Sequence, residues 1–230
     1  MNSALIVAAG RGTRMGPEID KIFLEIGGLP VVAHTWKRFD SCPEIHEVVM
    51  VVRDGMQQAF VDLALQQRFH KPYRIVIGGA ERQDSVWNGL EALSTSAEIV
   101  AIQDAARPCT SPELIRRCVE AARDTGAAVA AQRSTDTIKE SDGGVLIAKH
   151  LERSRLWSVQ TPQCFRIPII RKALEAVRSS GRMITDDTAA CEFIGQQVRL
   201  VESPEPNPKI TTRGDIPLFR SLLTIVSPET

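Results

Sequence analysis

The feature that most constrains this chain is an apolar run that ends in a glycine-rich loop within the first 21 residues. The run covers residues 4–7, the loop reads Ala-Ala-Gly-Arg-Gly-Thr-Arg-Met-Gly at residues 8–16, and Lys21 follows shortly after. Small residues directly after a buried strand let backbone N–H groups approach a ligand closely, which suits phosphate oxygens. Arg14 and Lys21 add two cations that can neutralise a polyphosphate. The pattern therefore predicts a nucleoside triphosphate site at the start of the domain.

Two commoner glycine loops do not fit this segment. A dinucleotide-binding fingerprint needs a third glycine where the chain has Met15, and Gly16 comes one residue late. The P-loop string G-x-x-x-x-G-K-[ST] does not occur in the sequence. A plain strand-to-helix turn with exposed Arg and Lys side chains stays open as the alternative when this segment is taken alone.

Composition favours one α/β domain and excludes several classes of partner. The chain has 230 residues, of which 43% are hydrophobic, so it can bury a full core. Lys plus Arg and Asp plus Glu each number 28, which leaves no basic stripe for nucleic acid. No segment is as long as a membrane span, and the N-terminus lacks a signal-peptide pattern. Five scattered cysteines without a C-x-x-C pair are typical of reduced thiols, so we expect a cytoplasmic protein.

Short β-branched runs alternate with helical patterns along most of the chain. This alternation predicts βαβ units and a mainly parallel sheet. One helix is expected after the Gly27-Gly28 turn, with Pro30 at its first position, and another begins near Asp84. A third is expected between residues 111 and 126, with a glycine at its end. The predicted strands cover residues 4–7, 47–52, 74–77, 99–102, 127–131 and 198–201.

Residues 136–156 interrupt this alternation. The strings Ile-Lys-Glu and Val-Leu-Ile flank an Asp-Gly-Gly turn within residues 138–147, which is typical of a β-hairpin. A hairpin inserted in an α/β domain is marginally stable alone and needs a packing partner. We therefore expect it to project as an arm that contacts a second subunit. An ordinary surface excursion stays open as the alternative.

A second glycine turn, at residues 78–86, leads into a helix. Arg82 and Ser85 lie at the predicted N-terminal end, where backbone donors and the helix dipole favour an anion or a base carbonyl. Taken alone, Asp84 or Ser85 is more simply interpreted as the N-cap of that helix.

Asp104 and Arg107 follow the strand predicted at residues 99–102. A carboxylate at the carboxyl end of a sheet strand is well placed to hold Mg²⁺, directly or through water, beside phosphates. Arg107 is a candidate partner of a substrate phosphate, and a local ion pair with Asp104 is the alternative. Asp215 is a second candidate contact for magnesium, although a helix N-cap is the favoured interpretation there.

Five further positions carry hydroxyl or cationic side chains. Such side chains suit a sugar phosphate, because they supply hydroxyl donors and a bidentate cation. The positions are Thr137, Arg153, Thr161, Thr185 and Lys209, of which Lys209 is a candidate to hold an attacking phosphate.

Taken together and in this order, these strings make nearly the whole chain similar to the 2-C-methyl-D-erythritol 4-phosphate cytidylyltransferase family of the non-mevalonate isoprenoid pathway. The resemblance rests on A-A-G-R-G-T-R-M, G-G-A-E-R-x-D-S-V, D-A-A-R-P, D-T-I-K, R-x-x-L-W-x-x-Q-T-P-Q-x-F, T-D-D and N-P-K-I-T. Two positions depart from the usual pattern: Ile22 stands in place of a glutamine and Gln103 in place of a histidine. Neither departure removes a charged group, so we expect activity to be retained.

The resemblance implies a Rossmann-like α/β nucleotidyltransferase sheet with helices on both faces, a projecting β-arm and a homodimer. It implies cytidylyl transfer from CTP to 2-C-methyl-D-erythritol 4-phosphate, with pyrophosphate as the second product and Mg²⁺ as cofactor. The positions that match the family's catalytic residues are Arg14, Lys21, Arg153 and Lys209, and Arg153 is expected to reach across the dimer. The CTP-binding positions are Ala8, Ala9, Gly10, Arg11, Gly12, Gly79, Arg82 and Ser85. The substrate positions are Thr137, Arg107, Thr161 and Thr185, and the metal position is Asp104.

Three alternatives to this function stay open. The nearest is a cytidylyltransferase for another polyol phosphate such as ribitol 5-phosphate, although Ala9 and the pair Ala105-Ala106 favour methylerythritol. A sugar-1-phosphate nucleotidyltransferase rarely carries the arm and the Q-T-P-Q string together. A non-catalytic nucleotide-binding regulator is disfavoured, because every charged position needed for the chemistry is present.

Overall fold

A seven-stranded sheet forms the centre of the molecule. The computed structural model describes residues 1–10 and 20–226. The strands are β1 (Asn2–Val7), β2 (Glu25–Ile26), β3 (Leu29–Pro30), β4 (Glu47–Val52), β5 (Tyr73–Ile77), β6 (Ile99–Asp104), β7 (Ala127–Arg133), β8 (Lys139–Ser141), β9 (Ile147–His150), β10 (Trp157–Arg166) and β11 (Arg199–Glu202). The helices are α1 (Val31–Asp40), α2 (Gln57–Gln67), α3 (Arg82–Glu91), α4 (Pro112–Thr125), α5 (Ile167–Ser179), α6 (Asp187–Phe193) and α7 (Ile216–Val226). Short 3₁₀ turns cover Arg153–Arg155 and Arg213–Asp215.

The strand order in the main sheet is β11-β7-β10-β6-β1-β4-β5. Strand β10 runs antiparallel to both of its neighbours, β6 and β7, and the other pairs in this sheet are parallel. The prediction of a mainly parallel sheet is confirmed, and each predicted strand matches an observed one to within two residues at either end. Strand β10 has no counterpart in the sequence prediction.

Helices cover both faces of the sheet, as the resemblance implied. Successive side chains of a strand point to opposite faces, so Ala4 and Ile6 of β1 pack with α1, α2 and α4. Leu5, between them, packs with α3, α5 and α6 on the other face. Each helix buries one apolar stripe, and the carboxyl ends of β1 and β6 are left to carry loops.

Two helix starts illustrate how local sequence fixes the elements. Ser111 caps α4 by accepting from the backbone N–H of Leu114 at 3.3 Å, and Gly126 ends that helix with a φ of 89°. This agrees with the prediction. The prediction that Pro30 is the first residue of α1 is wrong: Pro30 is extended, with φ −56° and ψ 144°, and occupies the N-cap position. Pro30 belongs to β3 and pairs with Glu25 of β2, and this strand pairing requires an extended backbone at Pro30.

The predicted hairpin is present. Strands β8 and β9 pair antiparallel in a small sheet of their own, and Lys139 lies opposite His150. Every residue from 135 to 150 is exposed, and the Val145 side chain is 100% exposed. The contact of this hairpin with a second subunit stays a prediction. Within residues 1–10 and 20–226, no helix has both the length and the apolar character needed to cross a bilayer.

Candidate active site

A cleft opens at the carboxyl ends of β1 and β6, next to the start of α3. This position is typical of ligand sites in open α/β sheets. The residues that line the cleft are Val7, Ala8, Ala9, Gly10, Lys21, Ile22, Gly79, Ala80, Glu81, Arg82, Ser85, Asp104, Ala105, Ala106 and Lys209. Nine of the sequence-predicted site residues belong to this set: Ala8, Ala9, Gly10, Lys21, Gly79, Arg82, Ser85, Asp104 and Lys209.

The first glycine loop enters the cleft directly from β1. The backbone N–H of Ala8 donates to the carbonyl of Val51 at 2.7 Å, which extends the pairing of β1 with β4 by one residue. Ala8 is buried, whereas Gly10 is exposed at the cleft. Three predicted residues of this loop, Arg11, Gly12 and Arg14, lie outside the described residues.

The second glycine turn packs against the first loop. A Cβ atom on Gly78 would lie 2.6 Å from the Cβ of Ala9 and 2.7 Å from Ser85 Oγ, so only glycine fits there. The Gly79 N–H donates to Ser85 Oγ at 3.1 Å, and that hydroxyl donates to the Glu81 carbonyl at 3.1 Å. Gly78 therefore sets how closely the two loops approach, a role that the sequence analysis did not predict.

Helix α3 begins at this turn through a reciprocal cap. Glu81 occupies the N-cap position, and Asp84, three residues later, accepts from the Glu81 N–H at 3.3 Å. The interpretation of Asp84 or Ser85 as the N-cap is therefore wrong by three or four positions. The Ser85 hydroxyl is used instead to shape the turn, and its backbone N–H is satisfied by the Glu81 carbonyl.

Three cations surround the carboxylate of Asp104. Lys209 Nζ lies 2.8 Å from Oδ2, and Arg107 Nε lies 3.6 Å from the same oxygen. Arg82 Nε lies 3.9 Å from Oδ1. Burial favours the neutral acid, but Lys209 and Arg82 outweigh it and lower the pKa of Asp104. The carboxylate is therefore ionised at neutral pH.

Arg107 is largely buried beside Asp104 and is not among the residues that line the cleft. Its Nη1 donates to the Asn207 carbonyl at 2.7 Å, and only 11% of its side chain is exposed. Burial lowers the pKa of Arg107, although Asp104 opposes that shift. Lys209, by contrast, is 34% exposed and lines the cleft. Of these two cations, Lys209 is the better placed to meet a ligand, and the local Asp104–Arg107 ion pair considered from the sequence is present.

Asn207 ties together the segments that bring Lys209 and Asp104 into contact. It is buried; its Oδ1 accepts from the Thr110 hydroxyl at 2.9 Å, and its Nδ2 donates to the Thr161 carbonyl at 2.8 Å. Thr161 in turn accepts from the Asp104 N–H at 3.1 Å. The sequence analysis did not assign Asn207 a role, although its place in the N-P-K-I-T string was the available signal.

Two predicted cations at the cleft have well-defined anchors. Lys21 Nζ donates to the Ile210 carbonyl at 3.4 Å, which connects the segment after the first loop to the Lys209 segment. Arg82 Nη2 lies 2.7 Å from Asp187 Oδ2, and Asp187 is fully buried. Burial disfavours the charged guanidinium, but Asp187 and Asp104 outweigh it and raise the pKa of Arg82. Asp187 was not a predicted site residue.

The remaining predicted residues lie apart from this cleft. Thr137 and Arg153 are exposed on the arm and at its base, and Arg153 Nη1 donates to the Thr135 carbonyl at 3.1 Å. Thr185 is exposed in the turn before α6. None of the three lines the cleft of its own chain as far as the described residues go. The predicted site is thus divided between the cleft, the exposed arm and the turn before α6.

Comparison with known proteins assigns the family. The sequence pattern of the 2-C-methyl-D-erythritol 4-phosphate cytidylyltransferase family, IspD, matches residues 3–224. The chain belongs to the IspD family.

Individual IspD proteins support the same assignment over the full length. The 2-C-methyl-D-erythritol 4-phosphate cytidylyltransferase of Geobacillus kaustophilus is 40% identical over 220 residues, which is 96% of each chain. That of Pelotomaculum thermopropionicum is 40% identical over 223 residues, or 96% of this chain and 93% of the relative. The crystal structure of 4-diphosphocytidyl-2C-methyl-D-erythritol synthase from Anaerococcus prevotii is 31% identical, has a TM-score of 0.86, and aligns over 97% of this chain and 96% of its own.

The donor set of this IspD cleft suits a divalent cation held mainly by phosphates. Among residues 1–10 and 20–226, no group of three or more His, Cys, Asp or Glu side chains converges on one point. Mg²⁺ is commonly bound by one or two carboxylates together with substrate phosphates and water. Asp104 supplies one ionised carboxylate at the cleft, so the residues present fit that mode of binding.

Proposed function

We propose that this protein transfers a cytidylyl group from CTP to 2-C-methyl-D-erythritol 4-phosphate in the cytoplasm, with Mg²⁺ as cofactor. The observation that carries the proposal is that one cleft contains residues 8–10 of the first glycine loop, the second glycine turn and the Asp104–Lys209 pair, in which Lys209 Nζ lies 2.8 Å from Asp104 Oδ2. Membership of the IspD family supports the choice of substrates. All five cysteines are buried free thiols, which suits a reducing compartment.

The reaction we propose is a direct displacement at phosphorus. An oxygen of the methylerythritol phosphate attacks the α-phosphorus of CTP, and the bond from that phosphorus to the bridging oxygen breaks. Pyrophosphate leaves with the electron pair. Such a reaction depends on positioning and on charge neutralisation rather than on a covalent enzyme group. Mg²⁺ bound beside Asp104 would offset charge on the phosphates.

The residues at the cleft are proposed to bind CTP, to stabilise charge and to orient the acceptor. Backbone N–H groups of the loops at residues 8–12 and 78–79 are proposed to hold the triphosphate and the base, with Ser85 fixing the second loop. Lys21 and Arg14 stabilise charge on the α-phosphate and on the leaving group. Lys209 orients the attacking phosphate, and its contact with Asp104 keeps it at the cleft until substrate arrives.

The acceptor site is proposed to be shared between two subunits. Thr137 and Arg153 are exposed and do not line the cleft of their own chain, so they are proposed to reach the cleft of a second copy. Arg107, Thr161 and Thr185 complete the set of substrate positions. Thr161 already accepts from the Asp104 N–H, so its contribution includes holding that carboxylate in place.

A pyrophosphate-release assay tests the proposal. The protein is supplied with CTP and Mg²⁺, and methylerythritol 4-phosphate and ribitol 5-phosphate are tested in parallel wells, with a third well lacking acceptor. We expect release with methylerythritol 4-phosphate alone. Release with ribitol 5-phosphate alone would retain cytidylyl transfer but replace the acceptor. Silence in all wells from folded protein that binds CTP would favour the nucleotide-binding regulator.

A further inference from the structure

Asp187 is a buried carboxylate for which the reaction above gives no role. It is the first residue of α6 and is 0% exposed. Arg82 Nη2 lies 2.7 Å from its Oδ2, yet neither carboxylate oxygen makes a well-aligned hydrogen bond within the described part of the chain. Burying an ionisable group with so few hydrogen bonds is costly. Its retention beside the cleft therefore calls for a functional reason.

Arg82 lies between two carboxylates at unequal distances. Its Nη2 is 2.7 Å from Asp187, whereas its Nε is 3.9 Å from Oδ1 of Asp104, which is beyond hydrogen-bond reach. Lys209 and Arg107 both contact the other oxygen, Oδ2. Arg82 is thus the cation on the Oδ1 side of Asp104, whereas the shortest contacts of Lys209 and Arg107 are to Oδ2. Oδ1 is therefore the oxygen for which Arg82 and a bound cation would compete.

We propose that Asp187 is a positioning residue that holds the Arg82 guanidinium away from Asp104 Oδ1, so that this oxygen stays available to a divalent cation bound with CTP. The inference rests on the proposed function. Asp187 thereby prevents an internal cation from occupying the metal position.

The backbone around Asp187 is fixed independently of Arg82. The Asp187 N–H donates to Gln163 Oε1 at 3.0 Å, and Gln163 Nε2 donates to Asp186 Oδ2 at 3.0 Å. Asp186 also caps α6 by accepting from the Ala189 N–H at 3.0 Å. Asp187 is therefore a rigid anchor, and the guanidinium is the member of the pair that can move.

Burial raises the pKa of Asp187, but the Arg82 guanidinium at 2.7 Å opposes that shift and favours the ionised carboxylate. Replacing Asp187 leaves Asp104 as the nearest carboxylate partner of Arg82. An Asp187→Asn side chain has nearly the same shape but cannot compete for the guanidinium as an anion. Charge-assisted hydrogen bonds are about twice as strong as neutral ones, so Arg82 is expected to close on Asp104 Oδ1. A divalent cation must then displace an ion pair before it can bind that oxygen.

Calorimetric titration of CTP, with Mg²⁺ and separately with EDTA, measures the effect without turnover. The ratio of the two CTP affinities reports how much the metal contributes. For Asp187→Asn we expect this ratio to fall about 10-fold, the effect typical of changes behind a metal ligand. Affinity in EDTA is not expected to weaken, because the variant removes a negative charge near a polyanion. The double variant Arg82→Gln/Asp187→Asn lacks the competing cation, so its ratio is expected to return to the wild-type value.

A second buried carboxylate provides the matched control. Glu47 is 5% exposed and accepts from the Ser3 hydroxyl at 2.7 Å and the Ser94 N–H at 2.9 Å. It begins β4, at the end of the sheet opposite the cleft. Glu47→Gln also removes a buried charge, and we expect the wild-type affinity ratio from its folded fraction. Circular dichroism of each variant establishes that fraction.

Several outcomes would overturn the inference. An unchanged ratio in folded Asp187→Asn would show that Asp187 has no influence on the metal, and an equal loss in the single and double variants would show that it does not act through Arg82. If the single variant fails to fold, the double variant replaces it, because the double variant removes one positive and one negative charge together. A 10-fold fall of the affinity ratio in the double variant would contradict the inference. Absence of CTP binding by the wild-type protein would instead overturn the proposed function itself.

Discussion

Lys21 connects the first glycine loop to the segment that carries Lys209, because its Nζ donates to the Ile210 carbonyl. If it stabilises charge on the leaving group, Lys21→Ala should lower kcat by about 100-fold or more with little change in folding. Steady-state kinetics with both substrates measures this effect. Lys37→Ala, an exposed lysine of α1 outside the cleft, is the control and should retain full turnover. Near-normal kcat in Lys21→Ala would remove Lys21 from the catalytic set.

Gly78 tests the close approach of the two loops. An added methyl group would lie 2.6 Å from the Ala9 Cβ and must displace it or the Ser85 hydroxyl. We therefore expect Gly78→Ala to raise the KM for CTP more than the KM for the acceptor. In Gly214→Ala the new Cβ would lie 3.6 Å from Thr212 Oγ1, which is an ordinary contact, so that variant is the control. A rise confined to the acceptor KM would place this turn outside the nucleotide pocket.

Cleft residues were predictable from sequence where they follow a strand directly. Ala8 follows β1 and Asp104 ends β6, so the strand pattern alone placed both at one edge of the sheet. Asp187 and Asn207 were not predictable in this way, because their partners are remote in sequence. Asn207, for example, contacts Thr110 across 97 residues. For Arg107, the sequence offered the ion pair with Asp104 as an alternative, but it gave no sign of the hydrogen bond from Arg107 to the Asn207 carbonyl.

At the scale of elements, the start of α7 depends on one carboxylate. Asp215 is the third residue of a 3₁₀ turn and accepts from the N–H groups of Thr211 and Thr212, each at 2.8 Å. It is therefore part of a reciprocal cap with Thr212 and not the N-cap itself, which corrects the interpretation from sequence. The hydrogen bonds from Thr212 and Thr211 lower the pKa of Asp215 to about 2.

Asp215→Asn should lower the Tm at pH 7 by about 2–4 °C, because the amide keeps an acceptor but replaces charge-assisted hydrogen bonds with neutral ones, a loss of about 1 kcal/mol. A lowered carboxyl pKa contributes stability above the ordinary value near 4, and that stability is lost as pH falls towards 2. The Tm values of variant and wild type should therefore converge near pH 2. Asp62→Asn removes an exposed carboxylate of α2 whose Oδ1 accepts from Gln58, and as the control it should leave the Tm unchanged. A Tm difference that persists at pH 2 would exclude ionisation as the cause.

Strand β10 shows where element prediction fails. Its sequence is interrupted by the string Gln-Thr-Pro-Gln, and its pairing with β7 shifts register between Val159 and Gln163. Neither alternation nor a continuous apolar run is present, so local pattern gives no strand signal. The strand is specified by its two neighbours, which pair with it on both sides. Gln163 gains its role from that position, because it reaches Asp186 and Asp187 from within the sheet.

At the scale of the whole molecule, the predicted site residues are divided between the cleft and the arm. The cleft contains residues 8–10, the second glycine turn and Lys209, whereas Thr137 and Arg153 lie on and beside an exposed hairpin. A two-stranded hairpin is marginally stable in water, and this one presents Val145, Leu146 and Ile147 to solvent. A second copy that covers the hairpin would explain both observations, because it would bury the apolar tip and complete the acceptor site.

Leu146→Asp tests this arrangement. Leu146 is 74% exposed in the single chain, so a charge there is tolerated by a monomer but is costly within an apolar subunit contact. We expect light scattering to show a shift from dimer to monomer, and kinetics to show a larger rise in the KM for the polyol phosphate than for CTP. Leu65→Asp places the same charge on α2, where the leucine is 69% exposed, and should change neither property. A monomeric wild-type protein with full activity would contradict the shared acceptor site. Arg153 would then have no role in the cleft of a second copy.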